Sequence, residues 1–267
     1  MSNNSIGVEY IKFYENKYKS KGLTPCYDEN PTRNPYSRYY WKRMTENIFK
    51  FGSIRENPQI KVLDIGCDYG FFVLELARHV SYSIGTDINK HQLEVLQNSA
   101  KNKALQNVIC LVCDAMNLPF KTKSFDVVIC SHVLEHLPND RKCMYEINRI
   151  LKYDGVLIIA VPLEDNFYFK LYRKIRSIPD TQPTLQDILS GKTENEHLRK
   201  YTVKSLINLI KDADFIPSEL DLFECSSPFK REIAKHFPPL FKLLIFVGKK
   251  CGNLSESMMI KAVKRTK

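Results

Sequence analysis

The sequence contains no apolar run approaching the roughly 20 residues that a membrane-spanning helix needs, so no helical membrane span is expected. The opening stretch, MSNNSIGVEYIKFYENKYK, lacks an apolar core followed by small residues. No secretory signal is read there, and a cytoplasmic location is expected. There is neither an internal repeat nor a low-complexity tract. The eight cysteines show no even spacing of the kind that marks a disulfide framework, and Cys110 and Cys130 lie inside apolar, strand-like runs. Cys110-Leu-Val-Cys113 matches C-x-x-C. Residues three apart on a strand face opposite sides, however, and no second pair or nearby histidine completes a metal site.

What remains is an ordinary globular composition, 43% hydrophobic and 26% charged over 267 residues, enough for one sizeable core with decorations. The net charge of +10 is concentrated at the ends. Residues 1–57 hold ten basic and six acidic residues, 58–227 hold twenty and twenty-two, and 228–267 hold ten and two. From residue 60 the chain alternates between short buried runs and helical spacing. Strands are expected at Val62–Ile65, Ser83–Asp87, Val108–Cys113, Phe125–Cys130 and Gly155–Val161, with helices at Phe71–Val80, Lys90–Lys103 and Asp140–Leu151. This pattern predicts an α/β fold with a mostly parallel sheet covered by helices on both faces. A helix at Thr202–Ala213 and strands at Phe215–Phe223 and Ser257–Val263 complete the expected set. Residues 1–57 read as an N-terminal, partly helical cap. Residues 58–267 read as the main domain, with a lid-like insertion at 163–200 and a basic, apolar insertion at 228–252 before the last strand.

Val62-Leu-Asp-Ile-Gly-Cys-Asp-Tyr-Gly70 is a buried strand breaking into a glycine turn at a helix start, where backbone N–H groups are exposed to a ligand. It resembles the first motif of the class I S-adenosylmethionine-dependent methyltransferases, of the type 11 kind. Gly85-Thr-Asp-Ile88 resembles their second-strand acid. The match continues in order through Cys113-Asp-Ala-Met-Asn-Leu-Pro-Phe120, Phe125-Asp-Val-Val-Ile-Cys-Ser-His-Val-Leu-Glu-His-Leu-Pro138 and Leu151-Lys-Tyr-Asp-Gly-Val-Leu-Ile-Ile159. The resemblance implies a Rossmann-like, seven-stranded sheet and S-adenosylmethionine as cofactor. It also implies a binding set of Asp64, Gly66, Cys67, Asp68, Gly70, Asp87, Ile88, Asp114, Ala115, Met116 and Ser131. In that set the Gly66–Gly70 turn approaches the methionine part, Asp87 accepts from the ribose hydroxyls, and Asp114 meets the adenine amine. Ala115 and Met116 flank the ring, and Ser131 lies beside the sulfonium. Asp68 stands where the family usually has glycine; Asp tolerates unusual backbone angles, so the turn can survive, but an acid beside the cofactor's carboxylate is unfavourable unless it binds the ammonium group instead.

Other classes fit less well. A nicotinamide dehydrogenase needs G-x-G-x-x-G, and no third glycine opens the helix here. His132-Val-Leu-Glu-His136 matches the H-x-x-E-H of zinc metallopeptidases, but that motif needs a continuous helix, whereas this stretch follows a strand and meets Pro138. No metal is expected. A non-catalytic cofactor-binding module of the same fold stays open, to be separated by turnover. Methyl transfer needs alignment more than side-chain chemistry, so the expected reaction is direct in-line displacement onto an O, N or C atom. A hydroxyl acceptor would want a general base, for which His197, His132 and His136 are the candidates.

The acceptor is expected to be a small molecule or a lipid-like compound. The run Phe237–Val247, followed by Lys249 and Lys250, and the run Phe167–Arg176 both mix apolar or aromatic residues with cations, suiting peripheral contact with an anionic membrane. Packing against the core is the competing reading of both. Nucleic acid is disfavoured as a partner by the acidic middle of the chain. Tyr36, Tyr39, Tyr40 and Trp41 either pack the cap onto the sheet or wall the cofactor pocket.

Overall fold

The computed structural model describes residue 13 and residues 35–163, 167–177, 181–193, 195–223, 230–250 and 255–266. Much of the expected 1–57 cap, and parts of both insertions, lie outside the described residues. Seven strands, β1 (Lys61–Ile65), β2 (Tyr82–Asp87), β3 (Val108–Val112), β4 (Phe125–Ser131), β5 (Leu151–Pro162), β6 (Phe215–Phe223) and β7 (Ser257–Lys264), form one sheet in the order β3-β2-β1-β4-β5-β7-β6. The first five run parallel, and β7 is antiparallel to both of its neighbours.

The central strands are apolar on both sides because both sheet faces are covered. On β4, Val128 and Cys130 point into one cluster while Val127 and Ile129 point into the other. On β5 the same alternation separates Leu157 and Ile159 from Ile158 and Ala160. The first cluster is closed by α4 (Asp140–Ile150) through Cys143, Met144 and Ile147, and by α7 (Val203–Asp212) through Leu206 and Ile210. The opposite cluster is closed by α1 (Pro35–Phe51), whose Met44, Ile48, Phe49 and Phe51 are buried there, and by α2 (Phe71–Leu76). A third, small cluster joins Val73 of α2 to Leu93 and Leu96 of α3 (Lys90–Asn102).

Polar contacts pin α1 to the far edge of the sheet. Arg43 Nε donates to Asp221 Oδ2 on β6 at 2.9 Å, its Nη2 reaches Oδ1, and Asn47 Nδ2 donates to the same carboxylate at 2.6 Å. The fork geometry makes this pair directional as well as attractive. Between β5 and α7 lie α5 (Phe167–Arg176) and the short α6 (Leu185–Leu189); between β6 and β7 lie α8 (Lys230–His236) and α9 (Pro238–Lys250). Phe241 of α9 meets the rings of Tyr36 and Tyr39 of α1 edge-on, at 6.2 and 5.8 Å.

Two elements depart from the sequence expectation. α2 ends at Leu76 rather than near Val80, because Asn107 Nδ2, in the loop before β3, donates to the carbonyls of Ala77 and Val80 and draws that turn out of the helix. β5 begins at Leu151, not Gly155: the chain passes straight from α4 into a pairing of Leu151 with Phe125, then shifts register before Val127 pairs with Val156. Asp154, at φ 59°, takes up the irregularity.

Candidate functional site

The strand order reverses between β1 and β4, and at such a switch point the loops after the two strands part and leave a crevice. A cavity of about 310 Å³ opens there, lined by residues from the carboxyl ends of four strands. After β1 come Gly66 and Asp68, after β2 Asp87 and Ile88, after β3 Asp114 and Ala115, and after β4 Ser131 and His132. A smaller recess beside it is bounded by Asp64 and Cys67 on one side and by Trp41, Phe71 and Phe72 on the other.

The turn after β1 is built on left-handed backbone: φ is 65° at Gly66, 51° at Asp68 and 77° at Gly70. A Cβ on Gly66 would lie 2.4 Å from Val133 Cγ2, and one on Gly70 would lie 2.3 Å from Leu96 Cδ1, so neither position has room for a side chain. Hydrogen bonds from Cys67 N to Thr86 O (2.9 Å) and from Gly70 N to Cys67 O (2.8 Å) hold the turn. Asp87 Oδ2 accepts from Asp68 N at 3.0 Å and Oδ1 from Asn89 N at 2.9 Å. Asp114 Oδ1 accepts from Met116 N at 2.8 Å, which fixes the loop after β3.

Three carboxyl groups crowd this turn. Burial pushes Asp64 well above the usual carboxylate range, and Asp87 and Asp68 add to the rise. Asp68 is pushed up to about 7, first by burial and then by Asp87, against a hydrogen bond from Gln92 Nε2. Burial also raises Asp87, although backbone N–H groups of Asn89, Asp68 and Ile88 pull the other way. One buried and two half-buried acids crowded together make a place where a positively charged ligand gains most.

Beyond β4 the chain bends sharply. His132, at φ 55°, places its ring between two elements: Nε2 shares a 2.8 Å hydrogen bond with the Tyr40 hydroxyl of α1, and Nδ1 lies 3.4 Å from Glu135 Oε1. Residues 134–136 form a turn, so His132 and His136 do not share a helix face. His136 lines the cavity, and its ring lies 4.8 Å from that of His197. The segment carrying His197 is docked on this turn: Leu198 N donates to Glu135 O at 2.8 Å, and Arg199 Nη1 donates to Leu134 O at 3.0 Å.

Of the residues singled out in the sequence, Gly66, Asp68, Asp87, Ile88, Asp114, Ala115, Ser131, His132 and His136 meet at the cavity, while Asp64 and Cys67 line the recess. Three stand apart. Met116 is 7% exposed and packs in the core cluster rather than on the cavity wall, because the turn fixed by Asp114 aims it inward. Gly70 caps α2 against Leu96 without lining either space, and His197 lies behind His136, ring against ring, rather than on the cavity wall. Gln92 and Glu135 carry no assignment from the sequence, whereas Tyr40, one of the four aromatic residues expected either to pack the cap or to wall the pocket, reaches the site by its hydrogen bond to His132. Glu135 lay in the quoted His132–His136 stretch, but the buried position of its side chain has no signature in the sequence.

Residues 63–159 match the family described as "Methyltransferase domain". Over 100 residues the chain is 35% identical to "Uncharacterized methyltransferase YcgJ" of Bacillus subtilis, an alignment covering 38% of this chain and 40% of that protein. It is 33% identical over 123 residues to a demethylmenaquinone methyltransferase of Staphylococcus saprophyticus, covering 44% and 49% of the two chains. Across these two relatives the chain therefore spans about half of their length or less. A longer alignment, 28% identical over 253 residues, relates it to protein MJ1252 of Methanocaldococcus jannaschii and covers 91% of this chain and 92% of that one. The solved structure of YcgJ superposes with a TM-score of 0.58 at 20% identity, over 85% of this chain and all of YcgJ, which is a likeness of fold.

Proposed function

Because this chain belongs to the class I S-adenosylmethionine-dependent methyltransferases, we propose that it transfers a methyl group by direct in-line displacement to an O, N or C atom of a small-molecule or lipid-like acceptor. The observation that carries the reading is the crevice at four strand ends, where a glycine turn without room for a Cβ adjoins three carboxyl groups of raised pKa. These residues suit a cofactor that brings a sulfonium and an ammonium. When bound, it supplies a methyl group already activated on sulfur.

This chain's own residues have the remaining work. Asp87, held by two backbone N–H groups, is the acceptor for ribose hydroxyls, and Asp68 is the partner for the ammonium. Asp114 and Ala115 wall the adenine end. Trp41, with Phe71 and Phe72 at 4.8 and 5.5 Å between ring centroids, keeps water from the recess beside Ser131. For a hydroxyl acceptor, His132 is the base candidate with the best geometry. It lines both spaces and is oriented by Tyr40 on one side and Glu135 on the other.

The lipid-like end of the acceptor range draws on the surface of α9. Phe237 just before it, and Leu240, Leu243 and Phe246 along it, are 44–61% exposed, with Lys242 and Lys250 exposed among them. On α5, Leu171 and Ile175 are exposed beside Lys174. Among the described residues no helix is long and apolar enough to cross a membrane, so these faces would lie on a lipid surface. The side chains of Phe167, Tyr168, Phe169, Tyr172, Arg176 and Lys249 lie outside the described residues.

The test is to incubate the protein with methyl-labelled cofactor and a cell extract divided into lipid and aqueous fractions. Label entering the lipid fraction supports the full reading, and label entering only the aqueous fraction keeps methyl transfer but removes the lipid-like acceptor. Cofactor binding with no labelled product from either fraction favours a non-catalytic module.

A further inference from the structure

Glu135 is 1% exposed, and among the described residues its carboxylate oxygens make no hydrogen bond of good geometry. Two imidazole nitrogens face Oε1, His132 Nδ1 at 3.4 Å and His136 Nε2 at 4.0 Å. An ionised carboxylate buried in this way is costly unless a cation faces it.

The surroundings supply a donor set. One ligand atom each from Glu135, His136 and His197 lie within 4.8 Å of one another. A cation at about 2.0–2.2 Å from each would need them drawn together by roughly an ångström, within reach of side-chain rotation. His136 Nδ1 is 3.2 Å from the Glu196 carbonyl oxygen. A proton on Nδ1 then leaves Nε2, the nitrogen nearer Glu135, as the ligand atom; a backbone carbonyl holding the far nitrogen is the usual support of a metal-bound histidine. The second histidine is held in place by its neighbours. Leu198 N is bonded to the Glu135 carbonyl, Arg199 to the carbonyls of Leu134 and Leu137, and Tyr201 to Asp140.

We propose that Glu135, His136 and His197 form a binding site for a divalent transition cation, of the zinc or manganese kind, open to the cofactor crevice. Two imidazoles and one carboxylate are a donor set for such ions, and only three protein ligands leave coordination positions free. Of the three ligands His136 lines the cofactor cavity, which gives the site its access to that space. This departs from the sequence expectation of no metal. The rejected motif required His132 and His136 on one helix; the cluster instead uses His197, brought in from sixty-one residues away, and leaves His132 against Glu135 as support. The site does not depend on the methyl-transfer reading.

The test uses the untagged full chain, stripped with a chelator and titrated by calorimetry with Zn2+ and Mn2+. Co2+ serves as an absorbing probe of the ligand field. One ion per chain is expected, with a rise in melting temperature when metal is in excess. Affinity should fall roughly 10–100-fold or more in Glu135→Gln and in His197→Ala. His236→Ala, a surface histidine on α8, should bind like the parent. Circular dichroism establishes that each variant is folded, and His136→Asn replaces any variant that is not. Absence of binding by all three ions would overturn the proposal, as would affinity and Co2+ absorption left unchanged in folded Glu135→Gln and His197→Ala.

Discussion

Asp68→Asn should make the ligand-free protein more stable, and increasingly so as the pH rises. The carboxyl group is raised from its ordinary value of 3.8 to about 7, by burial and then by Asp87. Between those values the folded chain holds a proton that the unfolded chain has lost. Stability therefore falls as the pH rises from about 4 to about 7, and is level above it. At about 1.4 kcal/mol per unit, the full rise amounts to about 4 kcal/mol near pH 8, and to about 1 kcal/mol or less near pH 4.5. Asparagine keeps the shape, tolerates the φ of 51°, and still accepts the hydrogen bond from Gln92, so little else changes. With about 2–4 °C per kcal/mol for a chain of this size, melting temperature should rise by up to about 8–16 °C near pH 8. Thermal melts of parent and variant across that pH range give the comparison. Cofactor affinity should move the opposite way, since the variant loses a charge that faces the ammonium. A stability difference that is the same at both ends of the range, or a variant less stable near pH 8, would show that the Asp68 carboxyl is not raised by burial.

Asp87→Ala should weaken cofactor binding by about 3 kcal/mol, roughly a hundredfold, in calorimetry. It should also lower the melting temperature modestly, because the Asp68 and Asn89 N–H groups lose their acceptor. Gly70→Ala combines a φ of 77° with contact against Leu96 and should cost about 2 kcal/mol or more in denaturant unfolding. Arg43→Ala breaks the pairing of α1 with Asp221 and should cost about 1.5–3 kcal/mol; no change would mean that α1 is held by its apolar face alone. Liposome flotation with anionic vesicles should show salt-sensitive binding that is lost when Lys242 and Lys250 become Glu; no binding at low salt would remove the lipid-surface reading of α9.

The inner strands of the parallel half were legible because they are buried on both faces and read as short apolar runs, as Val127–Cys130 and Leu157–Val161 do, while the edge strand β3 keeps an apolar run although Ile109, Leu111 and Val112 are exposed. The cavity was legible where a residue type is tied to a strand end: Gly66, Asp87, Asp114 and Ser131 follow four strands, and the topology alone brings those ends together. What periodicity does not carry is contact between loops far apart in sequence. Tyr40 meets His132 across 92 residues, and Arg43 meets Asp221 across 178. His136 and His197 meet because backbone bonds dock one loop on another, which no local spacing reports. The end of α2 was misplaced for the same reason, since Asn107 that terminates it belongs to a different crossover.

Cofactor binding at the crevice is measured most simply by calorimetry of S-adenosylmethionine with the ligand-free chain, competed with S-adenosylhomocysteine and with nicotinamide dinucleotides. One saturable site per chain is expected, which S-adenosylhomocysteine displaces, the dinucleotides do not, and Asp87→Ala weakens. Tight dinucleotide binding with no binding of S-adenosylmethionine, or an affinity indifferent to Asp87, would contradict it.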